Sequence, residues 1–454
     1  MIRTKITTFI LLLFIAHLAI GQTSIEQMRK DIMFLTDSSL LGRESGTKQA
    51  EIAADYIAKR MKEIGLKPYD SKKGFYQQFN LHFPVIFEDA KLTVNKREFK
   101  YKDDFWITDF SGSGTAVGTA HELKCRQLNL LNKRSETEFL NKIILLDLAN
   151  YKDIDNDFDL IDTITETVKT IADKGAAGII MYNTSDKPNV LLFFGSSFID
   201  TVDIPVIFIK KSSYSKIRRW RNAKISLTTN VERTTTTPKN IIGKIDNNSD
   251  KTVVIGAHYD HLGVKLSVNS NKKEVFNGAD DNASGVALML QLAEWMLYNE
   301  SINYNYLFVA FDAEEKGLWG SKYFCNNKYI NNDSIYYMLN IDMVGRLGVL
   351  GDSIQVFGTG SAESWNDILD KISCDDFGVI RRKNSPPMSD HFSFYSNNIP
   401  VAFITTGLHE QYHQPTDDEH LINYEGMAKV LQYTRQFLRI AERDRAIKFS
   451  ETKE

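Results

Sequence analysis

From Asn240 onwards, the sequence alternates short apolar runs with longer segments of helical periodicity. Strands that alternate with helices indicate a mostly parallel sheet with helices on both faces, which is a three-layer α/β/α fold. The predicted strands are Thr252–Ala257, Tyr306–Ala310, Met338–Ile341, Ser353–Phe357 and Val401–Ile404. The predicted helices cover 284–299, 317–328, 361–373 and 423–442.

The first half of the chain has a different organisation. Helical periodicity predicts helices over 25–35 and 47–64, and Gly65 is a stop signal for the second. Residues 85–235 carry short strand-like runs and no cluster of candidate ligands, so we predict an inserted β-rich domain. The main domain would then consist of 22–84 and 236–446. Predicted elements of the insert are Ala90–Val94, Phe105–Thr108, Lys142–Leu148, a helix over 161–174, and Ile204–Ile209.

Residues 1–21 have the features of a cleavable export signal. Arg3 and Lys5 precede a mostly apolar run, and Ala19-Ile20-Gly21 is a small-residue cleavage pattern. The alternative is an uncleaved anchor helix, but the run is shorter than the roughly 20 residues that a membrane span requires. We therefore expect an exported protein with no membrane span after cleavage. The sequence does not distinguish periplasm, cell surface and medium.

Charge and cysteine content argue against a nucleic-acid partner, a disulfide framework and a zinc–thiolate site. Loss of the two basic residues in 1–21 changes the formal net charge from −3 to −5, and no dense basic stripe is present. A nucleic-acid partner is therefore not expected. Three cysteines are too few for a disulfide framework, and no two of them are close in sequence, which argues against a zinc–thiolate site. The oligomeric state is not predicted.

Five separate segments carry histidines and carboxylates at predicted strand ends or in the turns that follow. The candidate ligands are His258, Asp281, Glu315, Asp342 and His413. Ligands bind at the carboxyl ends of strands in open α/β sheets. Two histidines and three carboxylates suit two divalent zinc ions that share one carboxylate, and cobalt or manganese would also fit. The pattern predicts a metal-assisted hydrolase.

The first two segments each leave an alternative open. Asp260, two residues after His258, can lie behind its imidazole and fix the tautomer, although a surface His-x-Asp pair would look the same. His261 should face the other way and serve structure. A single carboxylate can bridge two cations, and Asp280 competes with Asp281 for that role. Their segment also fits a helix-capping turn, with Asn282 or Ser284 as the cap.

Glu314 and Glu315 are adjacent, so they project differently at a strand end. One can bind metal while the other takes a proton from the attacking water, unless the segment is only a solvated acidic turn. Asp342 lies among apolar residues, where a free carboxylate is costly unless it is paired or metal-bound. His413 is followed by Asp417 and Asp418, either of which could support its ring.

Two further features have two interpretations each. Tyr412 could donate to a developing oxyanion or could serve packing alone. Asp390 and His391 could line a substrate pocket. Equally, Ser389 or Asp390 could cap a short helix over 391–396.

The ordered motifs AHYDHLG, NGADDNASG, FDAEEKGLWGS, NIDMVG and YHQPTDD resemble the co-catalytic zinc peptidases that include bacterial leucyl aminopeptidases and glutamate carboxypeptidase. The resemblance covers roughly 240–440 and, more loosely, 25–80, while 85–235 resembles the protease-associated domain of many members. It implies a phosphorylase/hydrolase-like fold with two zinc ions. In that family's pattern, one zinc would bind His258 and Asp342, the other Glu315 and His413, and Asp281 would bridge. Glu314 would be the general base.

The leading hypothesis is an exported zinc aminopeptidase that acts on peptides. A carboxypeptidase would need a cationic patch, for which Arg346, Arg381, Arg382 and Lys383 are candidates. A third possibility is a single-zinc glutaminyl-peptide cyclotransferase. The non-enzymatic alternative is a binding module that zinc stabilises, although structural zinc sites favour cysteine.

Overall fold

In a computed structural model, the described residues are 24–86, 89–108, 110–123, 131–133, 135, 137–151, 157–184, 202–216, 222–266, 273–298, 303–326, 332–374, 376–444 and 446–452. The export signal predicted at 1–21 lies outside these residues. The chain divides into two compact units, of which the second, the inserted unit, is Leu81–Thr236 and the first, the main unit, is the remainder. The predicted insert, 85–235, falls within the inserted unit.

The helices are α1 (24–35), α2 (Lys48–Ile64), α3 (Asp157–Asp173), α4 (Lys211–Tyr214), α5 (Gly285–Tyr298), α6 (Trp319–Cys325), α7 (Ser364–Asp370), α8 (His391–Tyr395) and α9 (Tyr424–Ala441). The first strands are β1 (Lys67–Pro68), β2 (Tyr76–Gln78), β3 (Leu81–Ile86), β4 (Lys91–Val94), β5 (Arg97–Phe99), β6 (Phe105–Ile107) and β7 (Gly114–Leu123). They are followed by β8 (Lys142–Asp147), β9 (Gly178–Tyr182), β10 (Val206–Ile209), β11 (Lys224–Thr229), β12 (Val231–Thr236), β13 (Lys239–Ile245) and β14 (Thr252–His258). The last are β15 (Gly263–Leu266), β16 (Lys273–Phe276), β17 (Asn305–Phe311), β18 (Ile335–Ile341), β19 (Ser353–Phe357), β20 (Gly378–Arg381) and β21 (Val401–Thr405).

The main unit is built on one mixed sheet with the strand order β1-β13-β17-β14-β18-β21-β19-β20, and β2 pairs with β13. Its four central strands, β17, β14, β18 and β21, are parallel to one another. The flanking strands β13 and β19 each run antiparallel to their central neighbour. The predicted mixed, mostly parallel sheet is confirmed.

Both faces of this sheet are covered, which gives the predicted three layers. Val253 and Ile255 of β14 pack with residues of α1, α2, α5, α7 and α9. Val254, between them, packs on the opposite face with Phe324 of α6 and Phe394 of α8. Because successive side chains of a strand point to opposite faces, a strand buried on both sides must be apolar throughout. This is why the central strands were recognisable in the sequence.

Local signals explain where helices begin and end. The Thr47 side chain accepts a hydrogen bond from the backbone N–H of Ala50 and caps α2, and Gly65 ends that helix with a φ of 103°. The helix predicted over 317–328 is shorter, since Gly317 and Leu318 have φ values of 113° and 57° and cannot be helical. In the described ranges, no helix has the length and hydrophobicity needed to cross a membrane.

The inserted unit contains an eight-stranded sheet with the order β5-β4-β11-β7-β8-β9-β10-β6, and a separate pair of strands, β3 and β12. Buried clusters cover both faces of the larger sheet. Its longest strand, β7, was not predicted, because Gly114-Thr-Ala-Val-Gly-Thr-Ala120 is composed of small residues with a weak strand signal. Within its described part, this unit holds no group of three potential metal ligands.

Candidate metal centre

The candidate ligands lie at the carboxyl edge of the four parallel strands. His258 is the last residue of β14, and Asp342 directly follows β18. Glu314 and Glu315 lie in the turn after β17, and His413 lies in the loop after β21. Asp281 lies in an irregular turn, Ala279–Ser284, that leads into α5. The sheet therefore brings together five segments that are distant in sequence.

The five candidate ligands form two groups that share Asp281. In the first group, Nε2 of His258 is 3.2 Å from Oδ1 of Asp281 and 3.4 Å from Oδ1 of Asp342. In the second, Nε2 of His413 is 3.3 Å from Oδ2 of Asp281 and 3.3 Å from Oε2 of Glu315. Each oxygen of Asp281 thus faces a different histidine.

These separations fit two zinc ions. Ligand atoms that surround zinc tetrahedrally at 2.0–2.1 Å are about 3.3 Å from one another. Nδ1 of His258 is 3.2 Å from the backbone oxygen of Asp260, which leaves Nε2 free for a metal. A donor set of imidazole and carboxylate also suits cobalt or manganese.

Burial makes the electrostatics of this site unfavourable without cations. Burial would lower the pKa of His258, but the carboxylates of Asp342 and Glu314 raise it well above its ordinary value. Burial would raise the pKa of Asp281, but hydrogen bonds from His258 and His413 hold it well below the usual range. For Glu314, burial and the nearby Glu315 raise the pKa of the carboxyl, although His258 opposes the shift. So many buried carboxyl groups require positive partners.

Asp260 holds the glutamate turn more directly than it holds His258. Its carboxylate accepts hydrogen bonds from the backbone N–H groups of Glu314, at 3.0 Å, and Glu315, at 3.3 Å. The same carboxylate lies 3.8 Å from Nδ1 of His258, farther than the backbone oxygen of Asp260. Asp260 therefore ties the strand that carries His258 to the turn that carries both glutamates.

The expectation that His261 points away from the site is wrong. Its Nδ1 lies 2.7 Å from Oε1 of Glu315 and 3.8 Å from Oδ2 of Asp281. The expectation extended the alternation of a strand to residue 261, but β14 ends at His258 and the alternation ends with it. His261 was therefore missed as a residue of the site.

Asp417 supports Asp281 from behind, and neither Asp417 nor Asp418 is bonded to His413. Asp417 accepts hydrogen bonds from the backbone N–H groups of Asp280, at 2.9 Å, and Asp281, at 3.1 Å. Asp418 accepts one from the side chain of Asn277. The expectation that one of the two supports the His413 ring fails, because both side chains face the segment that carries Asp281.

Asp280 is directed away from the two ligand groups. One carboxylate oxygen accepts hydrogen bonds from the backbone N–H of Gly345, at 2.6 Å, and the hydroxyl of Ser284, at 3.0 Å. The capping interpretation also holds for this segment, since the Asn282 side chain accepts a hydrogen bond from the backbone N–H of Gly285. Capping and a bridging position for Asp281 therefore coexist.

Arg43 is a residue of the site that the sequence did not reveal. It is fully buried, and its guanidinium donates to the backbone oxygens of Tyr259, at 2.8 Å, and Gly278, at 3.0 Å, as well as those of Leu35 and Asn277. Burial lowers the pKa of Arg43 to about 10, against the effect of nearby carboxylates such as Asp281. The only sequence signal was a polar, glycine-containing turn over 41–47.

A cavity of about 440 Å³ opens onto both ligand groups. One side is polar and is formed by His258, Asp281, Glu314, Asp342 and His413. The other side is mainly apolar and includes Met343, Phe357, Met388, Phe403 and Leu408. Tyr412 also lines the cavity, and its ring stacks on His413 with 3.8 Å between centroids. Both interpretations of Tyr412 thus fit its position.

The predicted pocket role of Asp390 and His391 does not match their position. Both side chains are fully buried, and neither is among the residues that line the cavity. His391 is the first residue of α8, and its buried ring stacks on Phe403. Asp390 precedes α8, but its side chain makes no capping hydrogen bond. Ser389 instead donates to Oδ2 of Asp342 at 2.7 Å.

No lysine or arginine lines the described part of the cavity. Arg346 is buried and donates to Asp417, and the exposed Arg381 pairs with Asp370. Arg382 donates to Gln355, a lining residue, but is not itself one, and Lys383 is exposed. The patch that a carboxypeptidase would need is therefore absent from these residues.

Residues 240–438 match the profile of Peptidase family M28. Aminopeptidase YwaD of Bacillus subtilis is 28% identical over 277 residues, which cover 57% of this chain and 56% of that protein. Leucine aminopeptidase 1 of Neurospora crassa is 30% identical over 216 residues, covering 44% of this chain and 52% of that protein. The chain thus spans about half the length of these relatives.

Two solved structures are similar over most of the chain. The aminopeptidase from Aneurinibacillus sp. strain AM-1 matches with a TM-score of 0.63 and 21% identity, covering 94% of this chain and 95% of its own. BSAP, a zinc aminopeptidase from Bacillus subtilis, matches with a TM-score of 0.57 and 21% identity, covering 94% and 98%. At this level of identity, the likeness shows the fold alone.

Proposed function

We propose that the protein is a zinc-dependent exopeptidase that removes N-terminal residues from peptides, because residues 240–438 match the profile of Peptidase family M28. The observation that carries the proposal is the position of the Asp281 carboxylate. Its two oxygens face two different histidines, and all three residues line one cavity. The names of the relatives, aminopeptidase and zinc aminopeptidase, support the reaction and the metal. The segment 1–21 supports export of the protein.

Each residue of the site has a proposed role. His258 and Asp342 would hold one zinc ion, Glu315 and His413 the other, and Asp281 both. When bound, such a pair of ions lowers the pKa of a water molecule and polarises the attacked carbonyl. Glu314, which lines the same cavity, accepts the proton of the attacking water and passes it to the leaving amine. Asp260 holds the turn that presents Glu314.

The cavity favours a peptide that enters amino end first. Its polar side carries Glu314, the one carboxylate among the described lining residues that is not a proposed zinc ligand, and this group can attract a free ammonium. Its apolar side, with Phe357, Phe403 and Met388, suits an apolar side chain of the N-terminal residue. The described lining residues include no lysine or arginine that could bind the carboxylate at a substrate's other end.

A panel of chromogenic aminoacyl substrates, assayed with and without a chelator, tests this function. We expect hydrolysis of substrates with apolar residues, about tenfold or more above that of substrates with acidic residues, since burial of a charge is costly. Chelation should abolish the activity, and zinc should restore it. Equal hydrolysis in the presence and absence of bound metal would contradict the proposal.

Peptide substrates and the response to metal removal separate the alternatives. A carboxypeptidase would cleave amino-blocked peptides and spare carboxyl-blocked ones, whereas we expect the reverse. A cyclotransferase would release pyroglutamate from peptides that begin with glutamine. A zinc-stabilised binding module would show no turnover and would unfold when the metal is removed. Cobalt or manganese in place of zinc would change the cofactor but not the reaction.

A further inference from the structure

His261 is fully buried beside the site but is not one of the five proposed ligands. Its Nδ1 is 2.7 Å from Oε1 of Glu315, which is a short hydrogen-bond distance. The other oxygen of Glu315, Oε2, faces Nε2 of His413 at 3.3 Å. Each oxygen of the Glu315 carboxylate therefore faces a different histidine, Oε1 facing His261 and Oε2 facing His413.

The position of His261 is fixed from two sides. Its backbone N–H donates to the backbone oxygen of Arg43 at 3.3 Å. Its ring lies against Gly278, where an added Cβ would be 2.5 Å from Cγ of the imidazole. Arg43 in turn binds the backbone oxygen of Gly278. The imidazole is thus held between the turn at residue 43 and the segment that leads to Asp281, with little freedom to rotate.

We propose that His261 is a positioning residue that makes Glu315 a ligand through one oxygen only, an inference that rests on the proposed function of Glu315. The Nδ1–H group of His261 donates to Oε1, and Oε2 alone is presented to the second zinc ion beside His413. Carboxylates can bind a cation through one oxygen or through both. A hydrogen bond to one oxygen selects the first mode and leaves a coordination position open for substrate.

The distances favour this role over that of a sixth ligand. His261, Asp281 and Glu315 are close enough together to hold an ion. However, Nδ1 of His261 is 3.8 Å from Oδ2 of Asp281, whereas the histidine-to-carboxylate separations within the two proposed ligand groups are 3.2–3.4 Å. Its separation from Glu315, 2.7 Å, is shorter than all of them and is typical of a hydrogen bond. The ring of His261 also meets the ring of His413 edge-on, with centroids 5.9 Å apart.

Two substitutions of His261 test the proposal. His261→Phe keeps a ring but loses the donor, and His261→Asn places an amide N–H near the original Nδ1 but is a poor zinc ligand. His420→Phe, at an exposed histidine, is the matched control. Zinc affinity is measured by chelator competition, and the metal-free proteins are compared by circular dichroism. Absorption spectra of the cobalt-substituted proteins report the coordination of each centre.

We expect His261→Phe to lower the affinity for one of the two zinc ions by about 10–100-fold, which is the usual effect of losing a hydrogen bond to a ligand. The cobalt spectrum of that centre should change, and the other ion should keep its affinity. His261→Asn should stay within about tenfold of the unsubstituted protein in zinc affinity. Should His261→Phe not fold, the affinity and spectrum of His261→Asn decide alone.

Unchanged zinc affinity in His261→Phe would overturn the proposal. An equal loss of zinc affinity in His261→Phe and His261→Asn would also overturn it, because it would indicate that His261 is itself a zinc ligand. The proposed function fails on a different result. In that case the unsubstituted protein itself would bind no pair of zinc ions, whatever residue stands at position 261.

Discussion

Glu314→Gln is expected to lower turnover by about 10²–10⁴-fold while both zinc ions stay bound. The glutamine side chain has nearly the same size but cannot accept a proton. The carboxylate is not one of the five candidate ligands, yet it lines the cavity beside His258 and Asp342. The measurements are kcat on an apolar aminoacyl substrate and the zinc content of the purified variant.

Glu410→Gln is the matched control, because Glu410 is an exposed glutamate of the loop that carries His413. It should retain both zinc ions and ordinary turnover. Should Glu314→Gln cleave peptides at the rate of the unsubstituted protein, the role of general base would have to be given to another group.

Asp281→Asn should lower the affinity for both zinc ions. The loss should exceed the roughly 10–100-fold that follows when a residue hydrogen-bonded to a ligand is removed. Both carboxylate oxygens face a histidine, at 3.2 Å and 3.3 Å, and an amide nitrogen can replace neither as a ligand. We therefore expect fewer than two zinc ions per chain and little remaining activity. Metal analysis after gel filtration measures the first, and the aminoacyl assay measures the second.

Asp280→Asn is an informative comparison for this variant. The two residues are adjacent, but Asp280 faces Gly345 and Ser284 and not the ligand groups. Asp280→Asn should keep both zinc ions even if its free energy of unfolding falls. If it lost zinc as Asp281→Asn does, the assignment of the shared carboxylate to Asp281 would be untenable.

Much of the fold could be predicted because the central strands are buried on both faces. A run such as Val253-Val254-Ile255 is recognisable from its apolarity alone, and the helices between the runs have their own periodicity. The carboxyl ends of parallel strands meet at one edge of the sheet. The proximity of His258, Asp342 and Glu315 therefore followed from their places after strands.

The parts of the site that could not be predicted depend on the conformation of turns. His261 lies three residues beyond the end of β14, where strand alternation no longer indicates the direction of a side chain. Arg43 binds backbone oxygens of distant segments, and backbone oxygens carry no sequence signal. For Asp390 and His391 the sequence allows a pocket lining or a helix start equally, and in the structure both side chains are fully buried where α8 begins.

Arg43, Asp260 and Asp417 share one function in the structure, which is to hold the ligand-bearing segments in place. Asp260 binds the turn of Glu314 and Glu315 through two backbone N–H groups. Asp417 does the same for the segment of Asp281, and Arg43 binds the oxygens of Tyr259 and Gly278. Ligands held in this way keep their geometry before a metal binds, which favours a fixed coordination.

The most direct test of the shared-carboxylate site is an anomalous difference map, recorded at the zinc absorption edge, from crystals of the zinc-loaded protein. The expected map has two peaks, about 3.5–4 Å apart, on either side of the Asp281 carboxylate. One peak would lie between His258 and Asp342, and the other between Glu315 and His413. A map with no peak there, or with a single peak at full occupancy, would contradict the two-metal mechanism.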